Sequence, residues 1–156
     1  MITTELLILN FEEIRRRSIL LWESIPTDFY TWRPDKGAMT SREMVRHVLE
    51  SEHLYHVIMS RGGMIGDYVS PWTNMPYTTI RDELEFAKYF REDFLSAIQG
   101  FNPGELETII IFREDVGQIS NLGKYLLKVA YHEAVHAGQL LSYLRTLGID
   151  RPLIWD

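Results

Sequence analysis

Apolar residues recur along most of the chain every three or four positions, the spacing of amphipathic helices rather than strands. The first such segment, about Thr4 to Ile25, carries Leu6, Leu7, Leu9, Ile14, Ile19, Leu20, Leu21 and Trp22 with charged residues between them. Pro26 stands just beyond it, where a helix has stopped. A second predicted helix opens at Thr40. Its T-x-x-E relation to Glu43 is a capping box, in which hydroxyl and carboxylate each accept from the other residue's backbone N–H. That helix runs to about Ser60, before Gly62 and Gly63. A third starts near Thr79, with Asp82 three residues on, and stops at Gly100; Leu84, Ala87, Phe90, Phe94 and Ile98 form its apolar stripe. The last spans about Asn121 to Leu147, with Gly148 where a left-handed C-terminal cap is expected.

The intervening stretches differ. Pro26 to Met39 reads as a loop carrying Trp32, Pro34 and Gly37. Arg61 to Thr78 is rich in Gly, Pro and aromatic residues, and so long a connection either crosses over the fold or serves function; Tyr68, Trp72 and Tyr77 could wall a pocket or fill core. Thr108 to Phe112 is β-branched and aromatic, which suits a strand, and Gly117 could close a hairpin. The tail Ile149 to Asp156 carries Pro152 and Trp155. These elements predict an all-α four-helix bundle with a long crossover connection and a short hairpin before the last helix, in a single domain over residues 1–156.

Composition narrows the function. The chain is 46% hydrophobic and 24% charged, ordinary for a globular protein. A net charge of −6 argues against a nucleic-acid partner, which needs clustered Lys and Arg; the compact basic group Arg15–Arg17 reads as a solvated helix face. The absence of cysteine excludes disulfides, thiolate metal sites and a cysteine nucleophile, and suits a reducing cytoplasm. Met1 to Asn10 lacks a basic start and is interrupted by Glu5 and Asn10, unlike a signal peptide. No apolar run approaches the roughly 20 residues a membrane span needs, so no membrane partner is expected.

The five histidines then carry the chemistry. His132 and His136 stand four apart, one turn apart on one helix face. The stripe through Tyr125, Val129, His132, His136, Leu140, Tyr143 or Leu144, and Leu147 is otherwise apolar, so both imidazoles are expected to point inward. On the second helix Met44, His47, Val48, Ser51, Leu54, Tyr55 and Ile58 form a matching stripe, and His47 replaces an expected aliphatic residue. An unpartnered buried imidazole costs about 1–3 kcal/mol; three on two helices call for a shared purpose. Metal sites in bundle cores are built from facing helices in this way, and three protein ligands leave a coordination position open. The bland alternative is core histidines bonded to backbone carbonyls. His53 and His56 fall off the stripe and are expected at solvent or a subunit contact.

Residues 132–136 also match H-E-x-x-H, the zinc-protease motif with glutamate as base. The protease reading fails on its third ligand. No His or Glu follows His136, and Gln139 and Ser142 occupy the places where the extended motif has glycine and histidine. Glu133, about 100° around the helix from His132, is expected at solvent or behind a ligand.

The run Tyr131-His-Glu-Ala-Val-His-Ala-Gly-Gln-Leu140, then Leu144-Arg145 and Gly148, together with Trp32-Arg33-Pro34, Ser41 and Arg46-His47 upstream, resembles the DinB-like (DinB/YfiT-like) family over most of the chain. The resemblance implies a four-helix bundle, commonly a homodimer, with one divalent metal ion per chain held by His47, His132 and His136. Related branches include enzymes that use low-molecular-weight thiols on small-molecule substrates. Three imidazoles suit zinc or nickel first, with iron, copper or manganese behind. An ion there would act as a Lewis acid or lower the pKa of a bound water or thiol, giving a thiol-dependent transferase or a hydrolase. The alternative is a non-enzymatic metal-binding or dimeric interaction protein with a structural or regulatory ion. No catalytic base is evident: Glu50, one turn on from His47, and Glu133 are the nearest carboxylates, and Gln139 could orient a ligand.

Overall fold

The structure is a computed structural model describing residues 3–155; Met1, Ile2 and Asp156, the ends of the expected domain span, lie outside the described residues. Five helices and one hairpin follow in the order α1 (Thr4–Glu23), α2 (Ser41–Ser60), α3 (Ile80–Gln99), α4 (Pro103–Thr108), β1 (Ile110–Arg113), β2 (Gln118–Asn121) and α5 (Leu122–Thr146). The caps explain the boundaries. Thr3 Oγ1 accepts from Leu6 N at 3.2 Å to start α1. Thr40 and Glu43 form the expected capping box on α2, with Thr40 N donating to Glu43 Oε2 at 2.7 Å. Thr79 and Asp82 form another on α3, and Gly148 ends the α5 region at φ 68°.

One element departs from the sequence-based expectation. Thr108 ends the short helix α4 instead of opening a strand, and pairing starts at Ile110. The signal was present: Asn102 and Glu105 make a further capping box with Pro103 at the first helical position, where its missing N–H costs nothing. The strands pair antiparallel with Phe112 opposite Ile119, and Gly117 turns between them at φ 64°. The hairpin seats against the end of α2, where Phe112 N donates to Gly62 O at 3.1 Å.

The four long helices form a ring in which α1 and α2 each pack on both α3 and α5. Pairings along their lengths give the directions. Arg46 meets Glu83 and Glu52 meets Arg91, so α2 and α3 are parallel. His47 meets His136 and Tyr55 meets Tyr125, so α2 and α5 are antiparallel. Arg15 meets Glu133, while Ser18 and Leu141 line one cavity, so α1 and α5 are parallel. The order is therefore up, down, down, up. Residues 61–79 are the crossover that the parallel α2–α3 pair requires. Arg46 pins it: the guanidinium donates to Met75 O at 2.7 Å and Pro76 O at 2.9 Å, lies 3.7 Å from the Tyr77 ring centre, and pairs with Glu83. Trp72 is buried and its Nε1 donates to the same Glu83 at 3.0 Å.

Two apolar clusters fill the bundle. One gathers Trp22, Met44, Val48, Leu49, Trp72 and Leu140; the other gathers Leu7, Phe11, Ile58, Phe94, Ile98 and Leu126. On every long helix a charged residue stands between them: Arg15 on α1, Glu52 on α2, Arg91 on α3 and Glu133 on α5.

Candidate metal centre

His47, His132 and His136 come together on the α2–α5 face, each half-buried, with one ring nitrogen from each within 4.8 Å of the others. His132 Nε2 lies 3.1 Å from His47 Nε2 and 3.1 Å from His136 Nε2. The rings meet edge to face, with centroids 4.6–5.0 Å apart. Antiparallel packing of α2 on α5 opposes His47 to the one-turn pair on α5, so the convergence follows from helix spacing and direction together.

Hydrogen bonding leaves these nitrogens without an adequate protein partner. His136 Nδ1–H donates to Gln139 Oε1 at 2.7 Å, the tautomer that leaves a bare lone pair on Nε2. The single in-plane site of His132 Nε2, proton or lone pair, cannot serve two neighbours, so at least one of the two 3.1 Å contacts is not a hydrogen bond. A cation at the centre resolves this. Tetrahedral zinc ligands at 2.0–2.1 Å lie about 3.3 Å apart, close to the spacing present. The donor set fits a divalent ion of borderline softness.

Burial above all favours the neutral form of His47 and His132, the form that binds metal. Burial, then the charges His136 and His47 would carry, push His132 down to about 4. Burial and His136 lower His47, opposed by the Glu50 carboxylate. Ser51 Oγ stands 3.5 Å from His47 Nδ1. Tyr55, an inward residue the sequence reading gave no role, sets its ring edge-on to His132 at 5.5 Å.

The structure corrects several expected positions. Glu133 is neither at solvent nor behind a histidine: it is 4% exposed, and Arg15 donates to both its oxygens at 2.8 and 2.9 Å. Burial opposes its ionisation, and Arg15 outweighs burial to lower its pKa. With both oxygens held by a guanidinium, Glu133 is unsuited to act as a base. Arg15 accordingly is no solvated residue; Arg16 and Arg17 pair with Glu13 nearer the surface. The core side of α5 is Leu126, Ala130, Glu133, Ala137, Leu140 and Leu144, and the histidines flank it. The steps of three and four through these residues could have placed Glu133 inside. His53 packs on Phe90 at 4.5 Å and Tyr68 at 5.8 Å, with Nδ1 buried. His56 sits against Phe94, its Nδ1 3.6 Å from Asp93 Oδ2. Neither His53 nor His56 is an open surface residue. Tyr68, Trp72 and Tyr77 pack on His53, Glu83 and Arg46, away from the triad.

The model of the DinB superfamily matches residues 10–140. The chain belongs to the DinB superfamily. It is similar to YjoA of Bacillus subtilis strain 168, with 30% identity over 129 residues, 82% of this chain and 80% of that protein. The crystal structure of B. subtilis YjoA, a DinB-like protein, superposes with a TM-score of 0.71 at 24% identity, covering 95% of this chain and 96% of that one. YfiT from B. subtilis, described as a probable metal-dependent hydrolase with an unusual four-helix bundle topology, superposes at 0.77 with 14% identity over 94% of this chain and 89% of that one. A DinB-like protein from Bacillus cereus ATCC 10987 gives 0.73 at 18% identity over 98% of both. At these identities the superpositions show a shared fold. Among the described residues, no helix is long and apolar enough to cross a membrane.

Proposed function

We propose that this DinB protein holds one divalent metal ion through His47, His132 and His136 and is a metal-dependent enzyme acting on small molecules. The observation that carries the reading is the convergence of three imidazole nitrogens whose mutual contacts hydrogen bonding cannot all satisfy. When bound, zinc or nickel supplies Lewis-acid chemistry at the coordination position that three protein ligands leave open. Gln139 orients the His136 ring, Tyr55 and Ser51 pack beside His132 and His47, and Glu50 is the nearby carboxylate available to move a proton. Hydrolysis leads as the reaction type, supported by the fold shared with YfiT; thiol-dependent transfer is the alternative that the family resemblance brings. In the same reading the protein works as a cytoplasmic homodimer, for which the exposed α5 ridge of Leu127, Tyr131 and Val135 offers apolar surface.

Elemental analysis of untagged protein purified without added metal tests the site, alongside a His132→Ala, His136→Ala double variant. The expected result is about one ion per chain, lost in the variant. No bound metal and no uptake of zinc or nickel would overturn it. The open position is tested by azide or thiol binding to the metal-loaded protein, read as a change in its spectrum with nickel. A structural or regulatory ion in a closed site would give none.

A further inference from the structure

The charged residues between the two apolar clusters form one connected network. Arg15 spans it: Nε and Nη2 hold the two oxygens of Glu133, and Nη2 reaches Glu52 Oε2 at 3.2 Å. Glu52 also accepts from Arg91 Nη1, and Arg91 Nη2 donates to Phe11 O at 2.7 Å. Arg15, Glu52 and Glu133 are 8%, 7% and 4% exposed. Two cations and two anions, one from each long helix, cancel in charge. Such a cluster is a poor source of stability, since desolvation consumes most of the attraction.

Its place relative to the triad points to another role. Glu133 is next in sequence to His132, and Glu52 follows Ser51, which stands at His47. The core side of α5 at this level is otherwise Ala130 and Ala137, whose small side chains offer little interlocking against rotation or sliding. Apolar burial is non-directional. A rotation of α5 by about 10° would carry an atom at its rim, roughly 5–6 Å from the axis, through about 1 Å, against a tolerance of about 0.2 Å in ligand distance. A two-pronged guanidinium–carboxylate pair fixes direction as well as distance.

We infer that the Arg15–Glu52–Arg91–Glu133 network is the positioning device that sets the rotation and register of α5 against α2, so that His132 and His136 meet His47. The inference rests on the proposed metal reading for its ligand, while its geometry stands without one. Arg15 and Glu133 are positioning residues acting through the histidines and touch no substrate.

The test is an Arg15→Met, Glu133→Leu double variant, which replaces one neutral pair by apolar residues of similar volume and leaves Glu52 with Arg91. Metal-free thermal unfolding, zinc affinity by chelator competition and nuclear Overhauser contacts between the imidazoles are measured. The expected result is a melting temperature at or above the parent's, with zinc affinity lower by about ten-fold or more and weakened His47–His132 contacts. Arg15→Lys keeps the charge but loses the fork, and is expected to weaken zinc severalfold should the double variant fail to fold. Ile98→Val, in the distant apolar cluster, is expected to lower the melting temperature while leaving affinity within about two-fold. Parent-like affinity and contacts in a folded Arg15 variant overturn the inference, as does an Ile98→Val variant that loses zinc in proportion to its stability. Should the parent itself take no zinc, the metal reading fails, and the imidazole contacts alone decide whether the network positions the triad.

Discussion

Two polar clusters sit side by side at mid-height in this bundle, and they differ in how their hydrogen bonds close. In the charged network the Glu133 oxygens are both taken by Arg15, and Glu52 is shared by Arg15 and Arg91. In the triad three half-buried imidazoles turn nitrogens toward one another, and His132 Nε2 faces two partners that one proton cannot serve. Buried polar groups are normally satisfied. A closed, deeply buried cluster therefore reads as structure, and an open one on the half-buried flank of α5 reads as a binding site. Proximity misleads here: Glu133 is one residue from His132, yet belongs to the other cluster.

The sharpest way to break the comparison is to remove one member of each. Glu133→Ala leaves Arg15 buried with its main partner gone and is expected to cost about 3–5 kcal/mol, a large share of the roughly 5–15 kcal/mol of a typical domain. His132→Leu in metal-free protein removes a contact that hydrogen bonding cannot satisfy and should leave stability unchanged or raised. Urea unfolding midpoints of the two variants measure the contrast; equal losses would show that the triad is as structural as the network. Metal binding reverses the order. Gln139→Leu leaves His136 Nδ1–H without its acceptor and frees the ring, so zinc affinity should fall about 10- to 100-fold with little change in metal-free stability.

Much of this was legible along the chain. Capping residues Thr40, Thr79 and Asn121 mark helix starts, and Gly148 marks an end. The spacing of His132 and His136, set against His47 on another apolar stripe, brought the triad into view before any coordinates. What escaped was contact between distant segments. Arg15 looked like part of a basic face because the sequence does not show that α5 would bring Glu133 opposite it. The histidine stripe alone reads as the core side of α5, while Leu126, Ala130, Ala137 and Leu144 mark a deeper one that includes Glu133. His53 seemed exposed because the residues covering it, Tyr68 and Trp72, come from a crossover whose path no periodicity encodes. The same crossover follows from α2 and α3 running parallel, a topology that helix patterns alone do not fix.

Acid separates the clusters by the pH at which each responds. Burial, then the neighbouring imidazoles, hold His132 near 4 in the fold, while an unfolded imidazole titrates near 6.5. Between those values the unfolded chain binds more protons, so stability of the metal-free protein falls as pH drops from about 6.5 toward 4. His47, His53 and His56 are lowered too, each chiefly by burial, and add to the slope. Glu133 enters only below about 4.5, where the unfolded chain begins to bind the proton that Arg15 keeps off the folded carboxylate. His132→Leu should therefore flatten the unfolding midpoint between pH 6.5 and about 4.5 and leave the steeper fall below that in place. An unchanged slope would mean that His132 is not held neutral.

The smallest expected effect divides the triad's own supports. Gln139 meets His136 Nδ1 at 2.7 Å, whereas Ser51 Oγ stands 3.5 Å from His47 Nδ1, at the outer limit of a hydrogen bond. A contact that long orients a ring weakly, and packing within α2 already restrains His47. Ser51→Ala should then change zinc affinity by no more than about three-fold, well short of the 10- to 100-fold loss expected where an orienting partner is removed. A loss as large as that of Gln139→Leu would show that Ser51 closes on His47 when the ion is bound, so that the site tightens on loading. An effect within error would leave His47 positioned by the helix alone, so that its approach to His132 and His136 depends on how α5 is set against α2.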